Sequence, residues 1–122
     1  MVYCLLVDDS NVVRKAARRM LEELAITVDE ARDGAEALAK CQEKIPDMIL
    51  LDWNMPVMDG MEFFLNFKKL PNNETCKVIF CTTESEMSKI IAAMEQGASE
   101  YIMKPYDVEI LRDKLVQTGI LE

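Results

Sequence analysis

The sequence predicts an α/β domain, a five-stranded parallel sheet doubly wound by five helices. Three observations predict it. Short apolar runs alternate with longer amphipathic stretches five times in 122 residues. The apolar runs are mostly continuous, as in strands covered on both faces. Strict alternation of the two kinds of segment implies parallel pairing through helical crossovers, with helices on both sides of the sheet.

Each element has its own warrant. Residues 2–7 form an apolar strand that ends in Asp8-Asp9. Residues 10–24 have helical spacing, with Val13, Ala16, Ala17, Met20, Leu21 and Leu24 on one face and Arg14, Lys15, Arg18, Arg19, Glu22 and Glu23 largely on the other. Residues 27–31 are a less apolar strand, suited to an edge. Asp33-Gly34 opens a second helix that runs to about Lys44, and Ile45-Pro46 marks its end. Residues 47–51 are a third strand closing on Asp52. Residues 53–60 form a loop broken by Pro56 and Asp59-Gly60. A helix over 61–70 stops at Pro71-Asn72-Asn73. The fourth strand, 77–81, leads into Thr82-Thr83, and a helix over 84–96 ends at Gly97 as its cap. The fifth strand, 99–103, leads into Lys104-Pro105. Asp107 caps a last helix over 107–117. One domain spans 1–122, with no linker, repeat or output domain expected.

Composition narrows the function. The net charge of -8 leaves no basic excess to neutralise phosphates, which argues against nucleic acid and against an anionic membrane surface. There is no histidine, so neither histidine catalysis nor a histidine metal ligand is available. The four cysteines form no Cys-x-x-Cys pair, and Cys4 and Cys81 read as buried apolar residues. The N-terminal apolar run is too short for a signal peptide or a membrane span, and the expected location is cytoplasmic.

The polar residues collect where such a sheet binds ligands, beyond the carboxyl ends of its strands. Asp8-Asp9, Asp52, Thr82-Thr83 and Lys104 follow strands one, three, four and five. Singly, each has an ordinary explanation as a cap, a turn residue, a β-former or a surface charge. In the strand order 2-1-3-4-5 all would share one rim. Clustered carboxylates without His or Cys suit a hard divalent cation, magnesium (Mg2+) or its substitute manganese (Mn2+). A metal, an ammonium and a hydroxyl around a central carboxylate make a site for a phosphoryl group, with Asp52 as nucleophile.

Asp8-Asp9, the run Asp52-Trp53-Asn54-Met55-Pro56, Met58-Asp59-Gly60, Thr82 and Lys104-Pro105 resemble the response-regulator receiver domain of two-component signalling, in its stand-alone, CheY-like chemotaxis form. The resemblance covers nearly the whole chain. It implies the flavodoxin-like order 2-1-3-4-5 and phosphoryl transfer to Asp52 from a histidine kinase or histidine phosphotransferase. It implies magnesium held by Asp9, Asp52 and the Asn54 backbone carbonyl, with Asp8 acting through water. It further implies Lys104 on the phosphoryl group, a cis Lys104–Pro105 bond, and Thr82 and Tyr101 as a switch pair. The output is then a phosphorylation-dependent protein-binding face over 84–117, on a monomer that catalyses only its own phosphorylation and slow dephosphorylation. Asn54, Thr83 and Glu84 occupy positions that tune access or dephosphorylation. Thr83 departs from the small residue usual there, and its bulk is expected to narrow access to Asp52.

Two pathway readings stay open, chemotaxis or motility control and a phosphorelay shuttle between histidine-containing proteins. A phosphatase of the haloacid-dehalogenase type needs a second Asp where Asn54 stands. An FMN binder of the flavodoxin kind needs a first loop that Asp8-Asp9 would make repulsive to phosphate. A receiver that only binds proteins sits poorly with the intact set of Asp52, Thr82 and Lys104.

Overall fold

The computed structural model describes the backbone of residues 1–122 and every side chain except that of Glu84. Five strands, β1 (Tyr3–Val7), β2 (Thr27–Ala31), β3 (Met48–Asp52), β4 (Lys77–Thr82) and β5 (Glu100–Met103), alternate with five helices. The helices are α1 (Asn11–Glu23), α2 (Gly34–Glu43), α3 (Gly60–Phe67), α4 (Met87–Glu95) and α5 (Val108–Gln117). The strands are all parallel in the order β2-β1-β3-β4-β5, the flavodoxin-like order expected.

The strand pleat divides the core into two layers. Leu5, Val7, Ile49, Leu51, Val78 and Phe80 face one cluster with Ala37 and Cys41 of α2, Phe63, Phe64 and Phe67 of α3, and Ile90 and Ala93 of α4. Cys4, Leu6, Met48, Leu50, Ile79 and Cys81 face the other, with Ala17 and Leu21 of α1 and Leu111 and Leu115 of α5. Continuous apolar strands are thus what a sheet sandwiched between two helical layers requires. All four cysteines are free and buried. Among the described residues, no helix is long and apolar enough to cross a membrane.

Helix starts follow the caps. Ser10, Asp33, Asp59 and Asp107 each accept a hydrogen bond from the backbone N–H three residues on. The end of α1 is a Schellman turn: Ala25 N–H donates to the Glu22 carbonyl at 2.9 Å and Ile26 N–H to the Leu21 carbonyl at 3.0 Å. Ala25 takes the left-handed conformation there, with φ of 65°.

Two helices differ from expectation. The helix expected over 61–70 is α3, which starts at Gly60 and ends at Phe67, with isolated turns carrying the chain on to Leu70. The helix expected from 84 is a 3-10 turn, Glu84–Glu86, followed by α4. The physical reason is local. The Glu86 carboxylate turns back onto Thr83, and its own N–H donates to the Thr83 carbonyl at 3.0 Å, a three-residue rather than four-residue closure.

Candidate functional site

Parallel register brings the strand ends to one edge. Val7 pairs with Leu51, Asp52 with Cys81 and Thr82 with Met103. Asp8 and Asp9 therefore emerge beside Asp52, and Lys104 emerges one strand beyond Thr82. The carboxylates of Asp8, Asp9 and Asp52 lie within 4.8 Å of one another. The Lys104 ammonium closes the cluster, donating to Asp52 Oδ1 at 2.8 Å and to Asp8 Oδ2 at 3.3 Å. Asp8 is buried at 4% exposure, Asp52 is half-buried and Asp9 is exposed. Asp8 Oδ1 accepts from the Ser10 N–H at 2.9 Å, so both of its oxygens carry hydrogen bonds.

Three carboxylates share one ammonium. Burial pushes the Asp52 carboxyl above its ordinary pKa; the Lys104 ammonium pulls it down, and Asp8 and Asp9 push the same way as burial. Burial works to lower the pKa of Lys104, but the Asp52 and Asp8 carboxylates outweigh it and hold it raised. The excess negative charge, the oxygen-only donor set and one open carboxylate fit a hard divalent cation. Asp8, Asp9 and Asp52 are the residues able to hold it.

The remaining predicted residues are less closely joined. Thr82 is fully buried, and its hydroxyl donates to the Thr83 carbonyl at 3.0 Å; among the described residues it makes no hydrogen bond to Asp52. Asn54 is exposed, and its amide donates to the Glu86 carboxylate. Thr83 is exposed, with its hydroxyl tied to Glu86 and Ser85. Tyr101 pairs in register with Phe80 and is half-buried, with the Lys114 ammonium 4.8 Å from its ring centroid. The Glu84 side chain, expected to tune dephosphorylation, lies outside the described residues. The Lys104–Pro105 bond is cis, as expected.

The structure adds residues that sequence patterning missed. Arg14 donates to the Asp8 carbonyl at 2.6 Å and to Glu30 of β2 at 3.0 Å, so it braces the β1–α1 loop from behind. By helical spacing it was merely a solvent-facing charge. Gly60 is required by close approach: a Cβ there would meet the Asp52 carbonyl oxygen at 2.6 Å. Gly34 is similar, since its Cβ would lie 2.6 Å from the Met58 carbonyl oxygen that its own N–H binds. The two glycines let α3 and α2 clamp the loop after β3. Trp53 is buried there, its ring 5.1 Å from that of Phe80. Glu86, also missed, is buried and joins Asn54 to Thr83. Nothing in its sequence context separates it from the exposed acids around it.

Residues 4–116 match the family described as response regulator receiver domain. Chemotaxis protein CheY of Halobacterium salinarum is 35% identical over 111 residues, covering 91% of each chain. Chemotaxis protein CheY-3 of Vibrio cholerae is 32% identical over 112 residues, covering 91% of this chain and 86% of its own. The solved structure of chemotaxis response regulator CheY4 of Vibrio cholerae superposes with a TM-score of 0.89 at 34% identity, over 97% of this chain and 98% of that one. A doubly wound sheet whose carboxyl edge gathers three aspartates under one lysine, matched over nearly its whole length, belongs to the response regulator receiver domain family.

Proposed function

We propose that the protein accepts a phosphoryl group on Asp52 from a phosphohistidine and signals by changing the protein-binding face formed by α4, β5 and α5. The observation that carries this is the cluster itself: three carboxylates within 4.8 Å, with Lys104 bridging Asp52 and Asp8.

Asp9, Asp52 and the Asn54 carbonyl would hold magnesium, or manganese in its place, with Asp8 acting through water, and the bound ion would supply positive charge to the phosphoryl oxygens. Asp52 carries the free oxygen that attacks phosphorus. The phosphorus–nitrogen bond of the donor breaks, its electron pair leaves on the imidazole, and an acyl phosphate forms on Asp52. Lys104 transfers its hydrogen bond from the carboxylate to a phosphoryl oxygen. Thr82 releases the Thr83 carbonyl and donates to another, and Tyr101 moves into the space vacated. New charge-assisted hydrogen bonds to the dianion supply the free energy for the shift. Exposed Ile91 and Met94 of α4, Met103 of β5 and Ile110 of α5 give the face an apolar character suited to a protein target.

Catalysis is confined to the protein's own phosphorylation and slow dephosphorylation. Asn54 and Glu84 tune that loss, and Thr83 controls access. The chemotaxis proteins among the relatives favour motility control over a relay shuttle. Free buried cysteines suit a cytoplasmic location. The test uses Trp53, the one tryptophan, directly after Asp52. Magnesium and then acetyl phosphate are expected to change its fluorescence, and Asp52→Asn to abolish the acetyl phosphate response. A response that survives Asp52→Asn rules the assignment out.

A further inference from the structure

Among the described residues, the buried polar or charged ones are Asp8, Thr82 and Glu86. The first two belong to the site. Glu86 does not, yet it is only 7% exposed. Burying a carboxylate is costly unless strong partners replace water. Among the described residues Glu86 has no cation within ion-pair distance. Its partners come instead from two loops. Glu86 Oε1 accepts from the Thr83 N–H at 3.1 Å and from the Thr83 hydroxyl at 3.1 Å. Glu86 Oε2 accepts from the Asn54 amide. Asn54 lies two residues beyond Asp52, and Thr83 follows Thr82 directly.

We infer that Glu86 is a positioning residue, a latch that holds the loops after β3 and β4 in the resting arrangement and must yield when Asp52 carries a phosphoryl group. The inference rests on the phosphoacceptor reading above. The Thr82 hydroxyl is engaged by the Thr83 carbonyl at 3.0 Å. It cannot serve a phosphoryl oxygen until it leaves that carbonyl. Thr83 is held in place by two hydrogen bonds to Glu86, so the same carboxylate keeps the competing acceptor in front of Thr82. The third bond, to Asn54, ties this arrangement to the loop proposed to present a metal ligand. Opening the latch is therefore part of the free energy of the switch. A protein whose competent state is scarcely populated binds its ligand more weakly by that fraction.

The latch is tested with beryllium fluoride, a phosphoryl mimic, titrated at saturating magnesium and read by Trp53 fluorescence. Glu86→Ala is expected to tighten the apparent dissociation constant by about threefold or more. Thr83→Val, which keeps the shape of an exposed residue and removes one latch bond along with the hydroxyl contact to Ser85, is expected to tighten it by less. The two changes combined are expected to equal Glu86→Ala alone. A residue that only supports the fold would lower the urea midpoint without tightening the mimic. Should Glu86→Ala not fold, Thr83→Val alone decides the matter. Unchanged or weaker binding in the variants that fold overturns the latch while leaving the phosphoacceptor reading intact. A wild-type protein that gives no response, or a response that survives Asp52→Asn, overturns that reading and the latch with it.

Discussion

Lys104→Met removes the one cation that, among the described residues, directly contacts the carboxylate cluster, while keeping most of the side-chain volume. At an effective dielectric of about 20, the 2.8 Å contact with Asp52 is worth about 6 kcal/mol and the 3.3 Å contact with Asp8 about 5 kcal/mol. Most of that gross attraction offsets the dehydration of the three charges. Deleting one partner of a buried pair typically costs about 3–5 kcal/mol. Lys104 keeps 25% side-chain exposure, so solvent screens part of the interaction, and the expected net loss at neutral pH is about 2 kcal/mol. With a urea slope of about 1.5 kcal/mol/M, the midpoint falls by about 1.3 M in metal-free buffer. Two further readouts separate charge from packing. Magnesium neutralises the same carboxylates, so it should stabilise the variant more than the wild type. The pKa of Asp52, already raised, rises further without Lys104. A raised carboxyl gives stability that is full below its ordinary range and is lost as pH rises through its folded value. The deficit should therefore shrink as pH is lowered from neutrality through the raised titration of Asp52. A variant as stable as wild type without metal, or one that magnesium does not rescue, refutes the electrostatic account.

Other outcomes follow from the same geometry. Because the raised pKa makes ionised Asp52 a net burden on the metal-free fold, Asp52→Asn should increase urea resistance at neutral pH and remove the stabilisation by magnesium; a loss of stability would contradict this. Gly60→Ala forces a Cβ against the Asp52 carbonyl, and is expected to cost about 2 kcal/mol or more and to slow phosphorylation by acetyl phosphate. Ala25→Gly relieves the left-handed residue at the end of α1 and should add about 1 kcal/mol, seen as a melting point raised by about 4 °C. Thr83→Ala should open access to Asp52 and shorten the lifetime of the phosphorylated form; an unchanged lifetime and loading rate would show that Thr83 does not control access.

The elements were legible because each rests on local chemistry. Continuous runs such as Met-Ile-Leu-Leu at 48–51, short and bounded by polar residues, suit strands covered on both faces, and Asp33 and Asp107 announced the helices they cap. The start of α4 was not legible, because helical spacing cannot see that the Glu86 side chain finds its donors in Thr83 and, 32 residues earlier, in Asn54. Val57 was equally hidden. Its φ of 69° is a conformation that β-branched residues avoid, and it lies at the centre of a three-residue turn in which the Met58 N–H donates to the Pro56 carbonyl at 2.7 Å.

The sequence by itself determined the α/β alternation, the two-sided burial of the sheet and the set of Asp8, Asp9, Asp52, Thr82 and Lys104 at strand ends. Only the tertiary structure decided which of these touch. Parallel register put Lys104 on Asp52 and Asp8, across separations of 52 and 96 residues. It left the Thr82 hydroxyl on its neighbour's carbonyl, and it buried Glu86 between two loops. Spacing along a chain sets the faces of helices and strands. Contacts between distant segments depend on how those faces stack, and that is settled only when the whole sheet is assembled.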